Sequence, residues 1–155
     1  MIKIISKISL FLIILLQSSL AFAQAKPVLN PGDASWMLTS TALVLLMTIP
    51  GLALFYGGLV GKKNIVSTIS QSFMITCVVT LVWFICGYSL TFGEGNLFIG
   101  DFSKTFLKGV EVAGLTLTIP ETVFVCYQLT FAIITVALIC GSIVERINFG
   151  ALFVF

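Results

Sequence analysis

The chain has 155 residues, of which 59% are hydrophobic and 9% charged, with a formal charge of +2 and a mean hydropathy of +1.17. That composition excludes an ordinary soluble domain and defines an integral membrane protein. At about 20 residues per bilayer crossing only a few crossings fit, and the absence of a long run of like charge argues against a nucleic-acid partner.

In chain order, Lys3 and Lys7 precede the apolar run Ile8 to Leu16, a polar break at Gln17, Ser18 and Ser19, and the small-residue site Ala21-Phe22-Ala23. Together they read as a signal peptide over 1–23, cleaved to leave Gln24 first. An uncleaved anchor is the alternative, and the shortness of the apolar run weighs against it. Pro27, Asn30, Pro31, Gly32 and Asp33 then form a cluster of turn formers and helix starters, expected as a short extracytoplasmic lead-in.

No charge interrupts residues 36–60, the first expected helix, with Trp36 and Tyr56 near its two interfaces. Pro50 and Gly51 inside this span predict a kink, and Gly57 to Gly61 has the spacing of a close helix contact. Lys62 and Lys63 follow in a short connection and mark the cytoplasmic side. The second helix is expected over 64–92, with Ser67, Thr68, Ser70, Gln71 and Ser72 turned towards other helices. Glu94 to Glu121 reads as a long acidic external loop, whose stretch from Phe106 to Leu117 has the length for a short interfacial helix. The third helix is expected over 122–143, Glu145-Arg146 lies at its cytoplasmic end, and 148–155 begins a fourth too short to cross. The chain therefore reads as all-α, with three membrane helices and the start of another.

The four cysteines, Cys77, Cys86, Cys126 and Cys140, match no zinc or redox spacing and read as small packing residues. Histidine is absent, no paired carboxylates fall within a helix, and Gly57-Gly58-Leu59-Val60-Gly61 lacks the ending of a phosphate loop. No catalytic residue, metal ligand or cofactor is therefore assigned, and an enzyme is not expected. In the third helix Phe124, Gln128, Phe131 and Thr135 share one stripe, with Tyr127 beside it. An aromatic face attracts a small cation by about 0.5 to 2 kcal/mol, less than the cost of placing that cation at the bilayer centre. Such rings can recruit or screen an ion without carrying it across. Ordinary packing also produces aromatic pairs at this spacing, and Gln128 equally suits an interhelical hydrogen bond.

The succession of a leader, Thr-Ala-Leu-Val-Leu-Leu-Met-Thr-Ile-Pro-Gly-Leu-Ala-Leu-Phe-Tyr-Gly-Gly-Leu (41–59), Lys-Asn (63–64), Gly-Tyr-Ser-Leu-Thr-Phe-Gly-Glu-Gly-Asn (87–96) and Glu-Arg-Ile-Asn-Phe (145–149) resembles the bacterial ammonium transporters of the Amt family. The likeness covers the mature chain and suggests the N-terminal third of such a protein. It implies an eleven-helix channel protomer in the cell inner membrane, N-terminus outside, assembled as a homotrimer when completed. Ammonium or ammonia is then the substrate, and a cytoplasmic regulatory protein is a partner of the full-length form alone. By the same resemblance Phe131 corresponds to the inner ring of an aromatic gate and Tyr127 replaces the outer phenylalanine. Gln128 lies between them, and Leu52, Phe55 and Leu138 match positions of the apolar pore wall. The family's two pore histidines would lie beyond Phe155, so a non-conducting fragment or membrane interaction module is the alternative.

Overall fold

A computed structural model describes residues 28–96 and 98–154; the leader expected over 1–23 lies outside them. Three helices, each long and apolar enough to cross a bilayer, make up most of it: α1 (Pro31–Leu59), α2 (Ile65–Phe92) and α3 (Glu121–Ile143). All three pack on one another. A short α4 (Phe149–Val154) follows.

Helix α1 begins at Pro31, five residues before the charge-free run. Asn30, in an extended conformation, accepts the Gly32 N–H on Oδ1 at 2.9 Å and the Asp33 N–H at 3.4 Å. Pro31 takes the first helical position, where a missing N–H costs nothing. At Pro50, where a kink is expected, the helix forms a widened π-helical turn over Met47–Leu52. Proline has no N–H and its ring crowds the carbonyl four residues back, so the helix opens locally and continues.

In α2 the hydroxyls of Thr68, Ser72, Thr76 and Thr80 each donate to the carbonyl four residues earlier, at 2.9, 3.5, 3.0 and 2.6 Å. Their polar groups are thereby satisfied within the helix, as an apolar surrounding requires. Thr68 and Ser72 are buried, while Ser67 and Ser70 are exposed, so two of the five polar residues expected to face other helices stay outside. Gly57 of α1 is buried against Ile65 and Ile69 of α2, the close contact its spacing suggested. Gly61 lies beyond the end of α1 and takes no part in that contact. A second widened turn, Trp83–Gly87, interrupts α2 near its C-terminal end.

The loop between α2 and α3 corrects one expectation, because residues 106–117 form no α-helix. A single 3-10 turn at Thr105–Leu107 is followed by strands β1 (Leu115–Thr116) and β2 (Ile119–Pro120), paired antiparallel with Leu115 opposite Pro120. Phe106 and Leu107 both have positive φ, 57° and 56°, and Gly109 has φ 83°, so the backbone cannot continue as a right-handed helix there. The hairpin is tied to the start of α1: the Asn30 N–H donates to the Thr118 carbonyl at 2.9 Å, and the Thr118 hydroxyl to Asp33 Oδ2 at 2.6 Å.

Candidate functional site

Helix α3 carries two contrasting faces. Thr130, Ile133, Ala137 and Cys140, spaced three, four and three apart, are buried against the other helices. On the opposite side Phe131, Thr135 and Leu138, spaced four and three apart, are exposed, Phe131 by 41% and Leu138 by 51%. A helix turning 100° per residue separates these sets by well over a right angle. The Thr135 hydroxyl donates to the Phe131 carbonyl at 2.8 Å, so this face offers no unsatisfied donor there.

The structure brings Tyr127 and Phe131 together. Their rings lie 5.0 Å apart at 73°, edge to face, the arrangement that aligns the positive edge of one ring with the negative face of the other. Tyr127 and Gln128 are half-buried one turn nearer the N-terminal end of α3. Phe124, on the same stripe, is packed away: it meets Phe92 of α2 at 5.0 Å and joins the apolar cluster around Trp83, Tyr88 and Val125. The stripe therefore divides into a packed turn at Phe124 and an open run from Phe131 towards the C-terminal end of α3.

Of the other candidates, Leu52 is half-buried in the widened turn of α1, and Phe55 is exposed with its ring 5.4 Å from Tyr56. Both stand on α1 and Leu138 on α3, each with apolar surface not covered by the described helices. Cys140 is buried, as a packing residue should be, whereas Cys77 and Cys126 are exposed on apolar helices. Among the described residues no group of three or more His, Cys, Asp or Glu is placed to hold a metal ion.

Three contacts were invisible to pattern reading. Glu145, the first of the Glu-Arg pair, accepts the Gly61 N–H at 3.0 Å and the Asn64 side-chain amide at 2.8 Å, clasping the α1–α2 turn to the end of α3. Those donors, Asn64 first and Gly61 second, hold its carboxyl below the usual value. At the other end Lys104, Tyr88 and Glu121 converge, with Lys104 Nζ 3.1 Å and the Tyr88 hydroxyl 2.9 Å from Glu121 Oε1. Between the ends, the Tyr56 ring fills the space beside Gly141. Residues 84 positions apart meet only through the fold.

Three bilayer-length helices with large apolar side chains turned outwards define a multi-pass membrane protein. The sequence profile of the Ammonium Transporter Family matches residues 35–155, and the chain belongs to that family. It is 45% identical over 126 residues to the ammonium transporter of Bacillus subtilis, a match covering 80% of this chain and 31% of the relative. It is 46% identical over 141 residues to that of Aquifex aeolicus, covering 89% and 33%. The crystal structure of Candida albicans Mep2 superposes with a TM-score of 0.72 at 36% identity, over 81% of this chain and 28% of that one. The chain thus spans about a third of the length of the relatives it matches.

Proposed function

We propose that this chain contributes three crossings of an ammonium or ammonia path through the cell inner membrane. The observation that carries the reading is the exposed run Phe131, Thr135 and Leu138 on α3, with the Tyr127 ring edge-on to Phe131 at its external end. Family membership supplies the substrate class, since the bacterial relatives are named ammonium transporters.

In this reading Tyr127 and Phe131 offer π faces that favour a small cation, and Gln128 a polar group beside them. Beyond Phe131 the wall is apolar, and a charged solute there would cost more than the rings return. The proton must therefore be shed or the charge met by groups outside residues 28–154. Leu52, Phe55 and Leu138 are assigned to the apolar wall. Lys62 and Lys63 face the cytoplasm by the positive-inside bias, which puts the start of α1 and the Lys104–Glu121 pair outside. The eleven-helix protomer, the homotrimer and the cytoplasmic regulator are carried over with the family. No catalytic group is assigned.

The test is uptake of labelled methylammonium by cells lacking their own ammonium transporters. The cells produce either this chain or the Bacillus subtilis transporter with residues 35–155 of this chain replacing its matching segment. Uptake through the replacement protein that falls on Phe131→Ala supports the reading. A well-inserted replacement protein whose uptake ignores that change overturns the assignment of the site, and one with no uptake at all overturns the transport reading.

A further inference from the structure

Lys104 is held at both ends. Its main-chain N–H donates to Ser89 Oγ at 3.0 Å, and its ammonium group donates to Glu121 Oε1 at 3.1 Å while standing 5.6 Å from the centre of the Tyr88 ring. The Tyr88 hydroxyl donates to the same carboxylate oxygen at 2.9 Å, and the Tyr88 side chain is almost fully buried. One carboxylate at the first turn of α3 therefore gathers a loop lysine and an α2 phenol. The Glu121 side chain is 14% exposed and that of Lys104 33%, so the pair is better shielded than a surface bridge without being fully withdrawn from water.

The loop residues just after Lys104 give this fastening a purpose. Phe106 and Leu107 take consecutive left-handed backbone conformations, an unfavourable choice for bulky residues that persists only where neighbouring contacts enforce it. The turn sends Phe106 outwards onto Phe84, 5.9 Å away and edge to face, while Leu107 and then Val110 pack on the Trp83, Tyr88 and Val125 cluster. Phe124 belongs to the same cluster and lies one turn before Gln128 on the stripe that ends at Phe131.

We propose that Lys104, Glu121 and Tyr88 form an external latch that seats Leu107 and Val110 on this cluster, so that the three act as positioning residues for the aromatic stripe of α3. The proposal rests on the transport reading only for its consequence on uptake. The latch itself is a statement about the loop.

Trp83 offers a readout within the protein. The chain has two tryptophans, and Trp36 is exposed, so a Trp36→Phe background leaves Trp83, which is 8% exposed inside the cluster. In lipid nanodiscs, Lys104→Ala and Glu121→Gln should each raise quenching of Trp83 by a water-soluble quencher. The expected change is about 3- to 10-fold in the open-to-seated ratio, the range for a partly shielded charge-assisted contact. Lys104→Arg should keep the parent quenching, and the exchange Lys104→Glu with Glu121→Lys should restore most of it. Helix content by circular dichroism is expected to stay constant throughout. Unchanged quenching in both single variants, or failure of both Lys104→Arg and the exchange to restore it, overturns the latch. Misfolding of the single variants with recovery in the exchange still supports it, because recovery requires the pairing. In the replacement protein, opening the latch should raise the apparent KM for methylammonium more than it lowers the maximal rate. If quenching responds and KM does not, the positioning role falls; if the unmodified replacement protein takes up nothing, the transport reading falls while quenching still decides the latch.

Discussion

The Tyr56 ring of α1 occupies the space in which a Cβ on Gly141 of α3 would stand. Two helices that meet so closely gain dispersion along the whole contact, the main source of helix association where lipid competes for apolar surface. The glycine at 141 is therefore a requirement of shape.

Gly141→Ala should destabilise the chain by about 1–3 kcal/mol, the range for overpacking a tight contact, read as lowered thermal stability in detergent. Gly57→Ala is the contrast. A Cβ there would stand 3.5 Å from Ile69 Cγ1, an ordinary contact, so the gain in helix propensity, about 1 kcal/mol, should leave stability equal or raised. Removing the ring as well, in Tyr56→Ala with Gly141→Ala, should recover at least about 1 kcal/mol of the penalty as coupling between the sites. Equal effects of alanine at 57 and 141 would contradict the geometry.

Phe131 and Phe124 share a stripe but not an environment, so their alanine variants should separate function from stability. Phe124 is locked between Phe92 and the Trp83 cluster, and its truncation should cost about 2–3 kcal/mol, at or a little below the usual cost for a buried phenylalanine. Phe131, 41% exposed, should cost less than about 1.5 kcal/mol. Methylammonium uptake through the replacement protein should show the reverse order, with Phe131→Ala altering rate or selectivity more. Small and equal uptake effects would reduce Phe131 to packing.

How far the sequence discloses this arrangement depends on the range of the interaction involved. The three long apolar helices are legible because charge is so costly in a bilayer that its absence over 36–60, 64–92 and 122–143 marks each of them to within about five residues. The early start of α1 does not show in hydropathy, because it is set by the cap at Asn30 and by Pro31 and not by apolarity. The loop departs from its expected form for a related reason. Composition permitted a helix over 106–117, but the left-handed turn at Phe106 and Leu107 is imposed by contacts with Phe84 and the Trp83 cluster. The Tyr127–Phe131 pair could be read from a four-residue spacing. The pairs Tyr56 with Gly141 and Glu145 with Gly61 could not, because nothing local specifies which residue of a distant helix will arrive.

Asn30→Ala should lower stability by about 1 kcal/mol, within the span of about 0.5–2 kcal/mol for loss of an N-cap side chain. The Gly32 and Asp33 N–H groups lose their acceptor, while the main-chain bond from Asn30 to Thr118 survives the change. Asn30→Ser, which keeps a short-side-chain acceptor, should recover most of the loss. Thermal unfolding of the three proteins side by side checks the order, and an Asn30→Ser variant no better than alanine would assign the effect to something other than capping.

Glu145 predicts a pH dependence whose sign follows from its partners. The Asn64 amide and the Gly61 N–H both donate to the carboxylate, so its pKa in the folded chain lies below the ordinary 4.5. A lowered folded value means that the ionised group stabilises the fold. That contribution is complete above the ordinary value, fades as the pH drops beneath it, and is gone once the pH passes below the folded value. Glu145→Ala should accordingly be less stable than the parent at pH 7, and the difference should shrink as the pH falls below about 4.5. Glu145→Gln keeps a side-chain oxygen that can accept but does not titrate, so its difference from alanine should hold steady across the same range. Thermal midpoints of the three proteins between pH 7 and pH 3, at fixed ionic strength, provide the comparison. A parent-to-alanine gap that stays constant down to pH 3 would mean that the clasp between α3 and the Gly61–Asn64 turn does not depend on the carboxylate charge.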